Sequence, residues 1–137
     1  MNTNVFEKMI RLIEEFTLID ENTVVLDICC GTGAIGISLS GKAMKVIGVE
    51  IIESAIENAK QNIKINEPNI DQAKFEYHAG RAEDLLPNIV KEQQLSGMNI
   101  IGIVDPPRSG LHKEVLKALR TCKGLDKLVY VSCNPSS

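Results

Sequence analysis

The sequence predicts an α/β fold built as a doubly wound parallel sheet, and three observations carry that reading. Short runs rich in Val, Ile and Leu alternate with segments of helical period along the whole chain. Those short runs are apolar throughout rather than alternating, the pattern of strands covered on both faces. A glycine-rich turn follows the first of them and opens a helix, which is how parallel strands are often linked to their crossover. The chain has 137 residues, 44% hydrophobic and 24% charged, enough for one domain, residues 1–137, with a core of its own.

Taken in order, Val5, Met9, Leu12, Ile13 and Phe16 recur at helical spacing. Residues 24–28 are a short β-branched run and read as a buried strand. Residues 34–40 suit a short helix closed by Gly41, and 45–49 form the second strand. A helix over 53–66 places Ala55, Ile56, Ala59 and Ile63 on one face and stops before Pro68. A third strand covers 74–78. The helical segment 82–95 contains Pro87, which is expected to kink or restart it. The fourth strand is 100–104, a helix follows over 113–122 and closes near Gly124, and 125–132 holds the fifth strand. Right-handed crossovers then place the loops after each strand at one edge, where ligands of such sheets bind.

The bulk numbers exclude several classes. No apolar stretch approaches the ~20 residues of a membrane span. The first residues, Met1 to Arg11, lack the cationic-then-apolar order of a secretion signal. The expectation is an intracellular protein of the cytosol or nucleus rather than the mitochondrion. Four cysteines, Cys29, Cys30, Cys122 and Cys133, form no Cys-x-x-Cys pair, and His78 and His112 are not spaced as zinc ligands, so no metal is expected. Cys29, Cys30 and Cys122 read as small buried residues. Net charge is −3, yet the segment from Arg108 to Lys127 holds six basic and two acidic residues and carries +4, leaving −7 elsewhere. Lys113, Lys117 and Arg120 share a helical face there, either a solvated surface or an edge that meets phosphates.

Three motifs lie where the strands should end. Gly31-Thr32-Gly33-Ala34-Ile35-Gly36 is a Gly-x-Gly-x-x-Gly turn between a strand and a helix, and Glu50 closes the next strand, near the spacing of an acid that binds ribose hydroxyls. Both indicate an adenosine-bearing cofactor. Asp27 decides which one. A carboxylate at the end of the first strand would repel a pyrophosphate, but suits the cationic amino-acid end of S-adenosylmethionine.

The second motif, Asp105-Pro106-Pro107-Arg108, follows the fourth strand, and its two prolines stiffen a loop able to hold a planar base. Amino-group methyltransferases carry an aromatic residue after the prolines; Arg108 stands there instead and suits phosphate or a uracil oxygen. The third is Ser132-Cys133-Asn134-Pro135 beyond the fifth strand. C5 of a pyrimidine is a poor nucleophile. A thiolate at Cys133 that adds to C6 would make C5 an enolate carbon able to accept a methyl group, and Arg108 would help lower the thiol's pKa.

Together these motifs resemble the RNA uracil-C5 methyltransferases, which pair an Asp-Pro-Pro-Arg-x-Gly loop with a Ser-Cys-Asn-Pro nucleophile loop. The stretches Leu26 to Gly33, Gly80-Arg81-Ala82-Glu83-Asp84-Leu85 and Asp105 to His112 are similar to the eukaryotic tRNA-acting members of that family. The resemblance implies a Rossmann-like class I methyltransferase fold that uses S-adenosylmethionine, with Cys133 as nucleophile. It places Cys29, Ala34 and Glu50 at the cofactor, beside the Gly31 and Gly33 already read there from the glycine turn, and Asp105 at the cofactor or the target uracil. The implied product is 5-methyluridine in the T-loop of tRNA, whose base must be swung out of its stack.

The departures carry expectations too. Of the family's Phe-Gln-x-Asn-Thr segment only Asn2-Thr3 is matched. The family's general base is a Glu well downstream of the nucleophile, and it, the final two strands of the family's sheet and a separate RNA-binding domain are expected to lie outside this chain. The expectation is a core truncated after the fifth strand, able to bind cofactor and unable to turn over alone. The rivals are an RNA cytosine-C5 methyltransferase, which would carry a second cysteine in the fourth-strand loop, a non-catalytic RNA-binding module that keeps the fold, and a dinucleotide-dependent oxidoreductase.

Overall fold

A computed structural model describes residues 3–28, 33–65, 71–104, 117 and 124–130. The described elements are α1 (Thr3–Thr17), β1 (Thr23–Ile28), α2 (Ala34–Leu39), β2 (Lys45–Glu50), α3 (Glu53–Ile65), β3 (Phe75–Ala79), α4 (Ala82–Leu95), β4 (Asn99–Val104) and β5 (Lys127–Tyr130). The five strands form one sheet in the order β3-β2-β1-β4-β5, and every neighbouring pair is parallel. The order runs outward to β3, then returns past β1 to β4. That reversal leaves a switch point between β1 and β4, the position where ligands of open parallel sheets bind.

The strands form where β-branched residues cluster, because these pack well on a pleat covered from both sides. Successive side chains separate into two cores. Val24, Leu26, Ile28, Ile47, Val49, Ile100 and Val104 meet α4 through Ala82, Leu86, Ile89 and Val90. Val25, Val46, Ile101 and Ile103 turn the other way and meet α1 and α2 through Ile10, Ile13, Ile35 and Leu39. α3 buries Ile56, Ala59 and Ile63. Helices therefore cover both faces, as a doubly wound sheet requires. Burial of a side chain such as Leu86, fully enclosed, contributes about 1.5–3 kcal/mol.

Most boundaries fall within a residue of the sequence expectation, with instructive differences. β3 starts at Phe75 rather than 74, because Gln72–Lys74 form a 3-10 turn capped by Asp71, whose side chain accepts from the Ala73 amide at 3.0 Å. Lys74 then donates to the carbonyls of Ser40 and Ala43, each at 3.0 Å, and ties this turn to the end of α2. Pro87 neither divides nor restarts α4, which runs unbroken from Ala82 to Leu95. The proline is exposed in the second turn, and the buried Leu86, Ile89 and Val90 hold the helix to the sheet around it. On α1 the apolar set is split: Ile13 is buried, whereas Val5, Leu12 and Phe16 are 55%, 65% and 62% exposed. The helix expected over 113–122 lies outside the described residues except Lys117, which is helical. Among the described residues no helix is long and apolar enough to cross a membrane.

Candidate active site

The site half that the structure describes is built on the carboxyl ends of β1 and β2. Asp27 is the next-to-last residue of β1 and only 1% exposed. Its Oδ2 accepts a hydrogen bond from the Gly36 amide at 3.2 Å, so the carboxylate pins the first turn of α2 to the sheet. Gly36 must be a glycine for this contact. A Cβ there would stand 2.8 Å from Val46 Cγ1 and 2.9 Å from Asp27 Oδ2. The last glycine of the motif thus lets helix and sheet approach closely.

Gly33 is the N-cap of α2, in the left-handed region at φ 81° and ψ 11°, where a side chain is strained. Its carbonyl accepts the first helical bond, from Ile37 at 2.9 Å. A Cβ at Gly33 would lie 3.0 Å from Tyr77 Oη and 3.2 Å from Ala59 Cβ. Ala34 follows as the first helical residue and is exposed. Glu50 closes β2, half-buried, and its Oε2 accepts from the Ile51 amide at 2.7 Å. The Gly80 amide donates to the Glu50 carbonyl at 2.9 Å, so β3 leaves the sheet beside it.

Register aligns the strand ends. Ile28 pairs with Val49 and with Val104, and Val104 pairs with Tyr130. Ile28, Val104 and Tyr130 of β1, β4 and β5 therefore share one rung of the sheet. Cys29 follows Ile28 in sequence, Asp105 follows Val104, and Cys133 comes three residues after Tyr130. Of the residues selected from sequence, the structure brings together Asp27, Gly33, Ala34 and Glu50. Cys29, Gly31, Asp105, Arg108 and Cys133 lie outside the described residues.

Two residues beyond the candidates selected from sequence belong to this half. Gly36 was legible as the last glycine of its motif. Tyr77 was not, because its place follows from register: Asp27, Gly48 and Tyr77 share one rung across β1, β2 and β3.

These residues fit S-adenosylmethionine. Gly33 leaves no room for a side chain, so backbone alone faces the turn. Two carboxylates at the ends of adjacent strands are acceptors for hydroxyl and ammonium donors, and Asp27 would oppose a pyrophosphate at the same turn. Among the described residues no group of three or more His, Cys, Asp or Glu gathers as a metal site would.

A parallel sheet in this order, with a glycine turn after β1 and an acid closing β2, has the Rossmann-like fold of the S-adenosylmethionine-dependent methyltransferases. Within that class the chain belongs to the tRNA (uracil-5-)-methyltransferase family, whose profile it matches over residues 1–137. It is 44% identical over 135 residues to the tRNA (uracil-5-)-methyltransferase homolog A of Homo sapiens, a match covering 98% of this chain and 21% of the human protein. It is 40% identical over 133 residues to homolog B of Pongo abelii, with 97% of this chain and 26% of that protein covered. The chain thus spans about a quarter or less of the length of these relatives. Among solved structures it resembles the Pyrococcus abyssi tRNA (uracil-54, C5)-methyltransferase in complex with S-adenosyl-L-homocysteine. That match has a TM-score of 0.65 and 34% identity, covering 93% of this chain and 28% of the other.

Proposed function

We propose that this chain is the cofactor-binding and catalytic core of an enzyme that methylates C5 of a uridine in RNA, with the T-loop of tRNA as its target. The observation that supports the reading is the shared rung of Ile28, Val104 and Tyr130, since Cys29, Asp105 and Cys133 follow it in sequence by one, one and three residues. Adjacent parallel strands lie about 4.8 Å apart, so loops leaving β1, β4 and β5 start within about 10 Å of one another. That separation suits a cofactor, a base and a nucleophile serving one reaction.

Asp27, Glu50 and the backbone of the Gly31–Gly33 turn would hold S-adenosylmethionine, with Cys29 and Ala34 contributing backbone and shape, and Asp105 beside the cofactor or the uracil. When bound, the cofactor supplies an electrophilic methyl group. The chain's own task is to make a weak carbon nucleophilic. The Cys133 thiolate adds to C6 of the uracil, forming a carbon–sulfur bond and moving the C5=C6 π pair onto C5 as an enolate. Arg108 favours the thiolate by its charge. After C5 is alkylated, a base from outside these residues takes the C5 proton, the double bond re-forms and the thiolate leaves. The target base must be held out of its stack throughout these steps. RNA binding would rest mainly on parts of the full-length protein outside this chain, which alone would bind cofactor without turning over.

The test is methyl transfer by the full-length protein to defined tRNAs, with mass mapping of the product. Methylation of uridine C5 at a single T-loop position supports the reading. Methylation of cytosine, or of no RNA, refutes it.

A further inference from the structure

We propose that Tyr77 is a positioning residue of the cofactor turn, its phenol oxygen bracing the left-handed Gly33 cap; the inference rests on the cofactor reading above and adds a residue to it. Tyr77 and Phe75 project from the same face of β3, with ring centroids 6.2 Å apart and planes 17° from parallel. Phe75 packs beside the core under α1 and α2. A second phenylalanine would fill the place of Tyr77 equally well, yet the hydroxyl oxygen is present and wholly enclosed.

Gly48 separates Asp27 from Tyr77 and carries no side chain, which leaves the surface of β2 open for the phenol to lie across. Two polar side chains of one rung then support two glycines of one motif. Asp27 sits against Gly36, and Tyr77 Oη lies 3.0 Å from where a Gly33 Cβ would be. Ala59 Cβ of α3 also lies 3.2 Å from that position. Glycine in the left-handed region has more competing conformations than any other residue. A Gly33 wedged between a phenol and α3 has fewer, and a turn ordered before the cofactor arrives loses less freedom on binding it.

The experiment is calorimetry with S-adenosylhomocysteine on the full-length protein, for wild type, Y77F, G33A and the Y77F/G33A pair, with urea unfolding of each. Wild-type binding tests the cofactor reading itself, and its absence would remove both that reading and this inference. Given wild-type binding, Y77F is expected to bind about fivefold more weakly at an unchanged urea midpoint. The KM for S-adenosylmethionine should rise by the same factor, with kcat within about twofold. G33A should cost less in the Y77F background, because removing Oη opens the space a Cβ needs. Wild-type affinity in Y77F, a loss that only tracks unfolding, or an equal cost of G33A in both backgrounds would each overturn the proposal.

Discussion

Asp27 accepts a hydrogen bond from Gly36 nine residues further on, at 3.2 Å, and so fastens the helix after the cofactor turn to the strand before it. The bond is charge-assisted and buried, and it divides the two tasks of Asp27. Asparagine keeps one acceptor oxygen of the same reach, loses the charge and replaces the other oxygen by an NH2 group. Asp27→Asn should therefore stay within ~1 kcal/mol of wild type in urea unfolding, yet bind S-adenosylhomocysteine at least tenfold more weakly. Asp27→Ala leaves the Gly36 amide buried without that acceptor and should lose about 1–3 kcal/mol. Equal stabilities for the two variants would show that the bond contributes nothing.

Gly36→Ala tests the close approach of α2 to the sheet. The new methyl would stand under 3.0 Å from both Val46 Cγ1 and Asp27 Oδ2, and both belong to strands that cannot yield without disturbing the core. We expect a loss of about 1–3 kcal/mol by urea titration, from a substitution that raises helix propensity in isolation.

Glu50 makes the opposite prediction. Its Oε2 accepts from the amide of the next residue, Ile51, a local and exposed bond at the rim of the sheet. Glu50→Ala should leave the unfolding midpoint nearly unchanged and weaken S-adenosylhomocysteine binding about tenfold or more, the worth of a hydrogen bond to a charged group. Calorimetry with NAD as a second ligand should show no binding to either protein.

Strain away from the site offers a separate check. Leu18 ends α1 at φ 53°, a left-handed conformation that costs a side-chain-bearing residue roughly 1 kcal/mol, and it is 72% exposed. Leu18→Gly is expected to raise stability by up to ~1 kcal/mol, measured by urea unfolding. A decrease would mean that the exposed leucine is covered in the full-length protein.

The strands were legible because Val and Ile runs such as 24–28 and 100–104 have no other stable use in a short chain, and the handedness of crossovers then points every following loop to one edge. α1 was legible as a helix but not in its orientation: Leu12 and Ile13 obey the same period, and periodicity records apolar character rather than what lies above it. Pro87 was read as a break because propensity is a local quantity, whereas the buried Leu86, Ile89 and Val90 hold α4 to the sheet on either side of it. At the site, the glycines and acids showed themselves by motif and spacing. Tyr77 did not, since its meaning lies in a rung shared with residues 29 and 50 positions away. Asp105, Arg108 and Cys133 were named from sequence alone, and what the structure adds for them is the common level of the strands they follow.

That common level leads to the measurement that bears most directly on the nucleophile. RNA containing 5-fluorouridine at the target position cannot lose its C5 substituent as a proton, so an enzyme that adds a thiol to C6 stays attached. Full-length wild-type protein, incubated with such tRNA and S-adenosylmethionine, should give a denaturation-resistant protein–RNA adduct, and Cys133→Ala should give none. An adduct that persists in Cys133→Ala, or uridine methylation by that variant at the wild-type rate, would contradict the account.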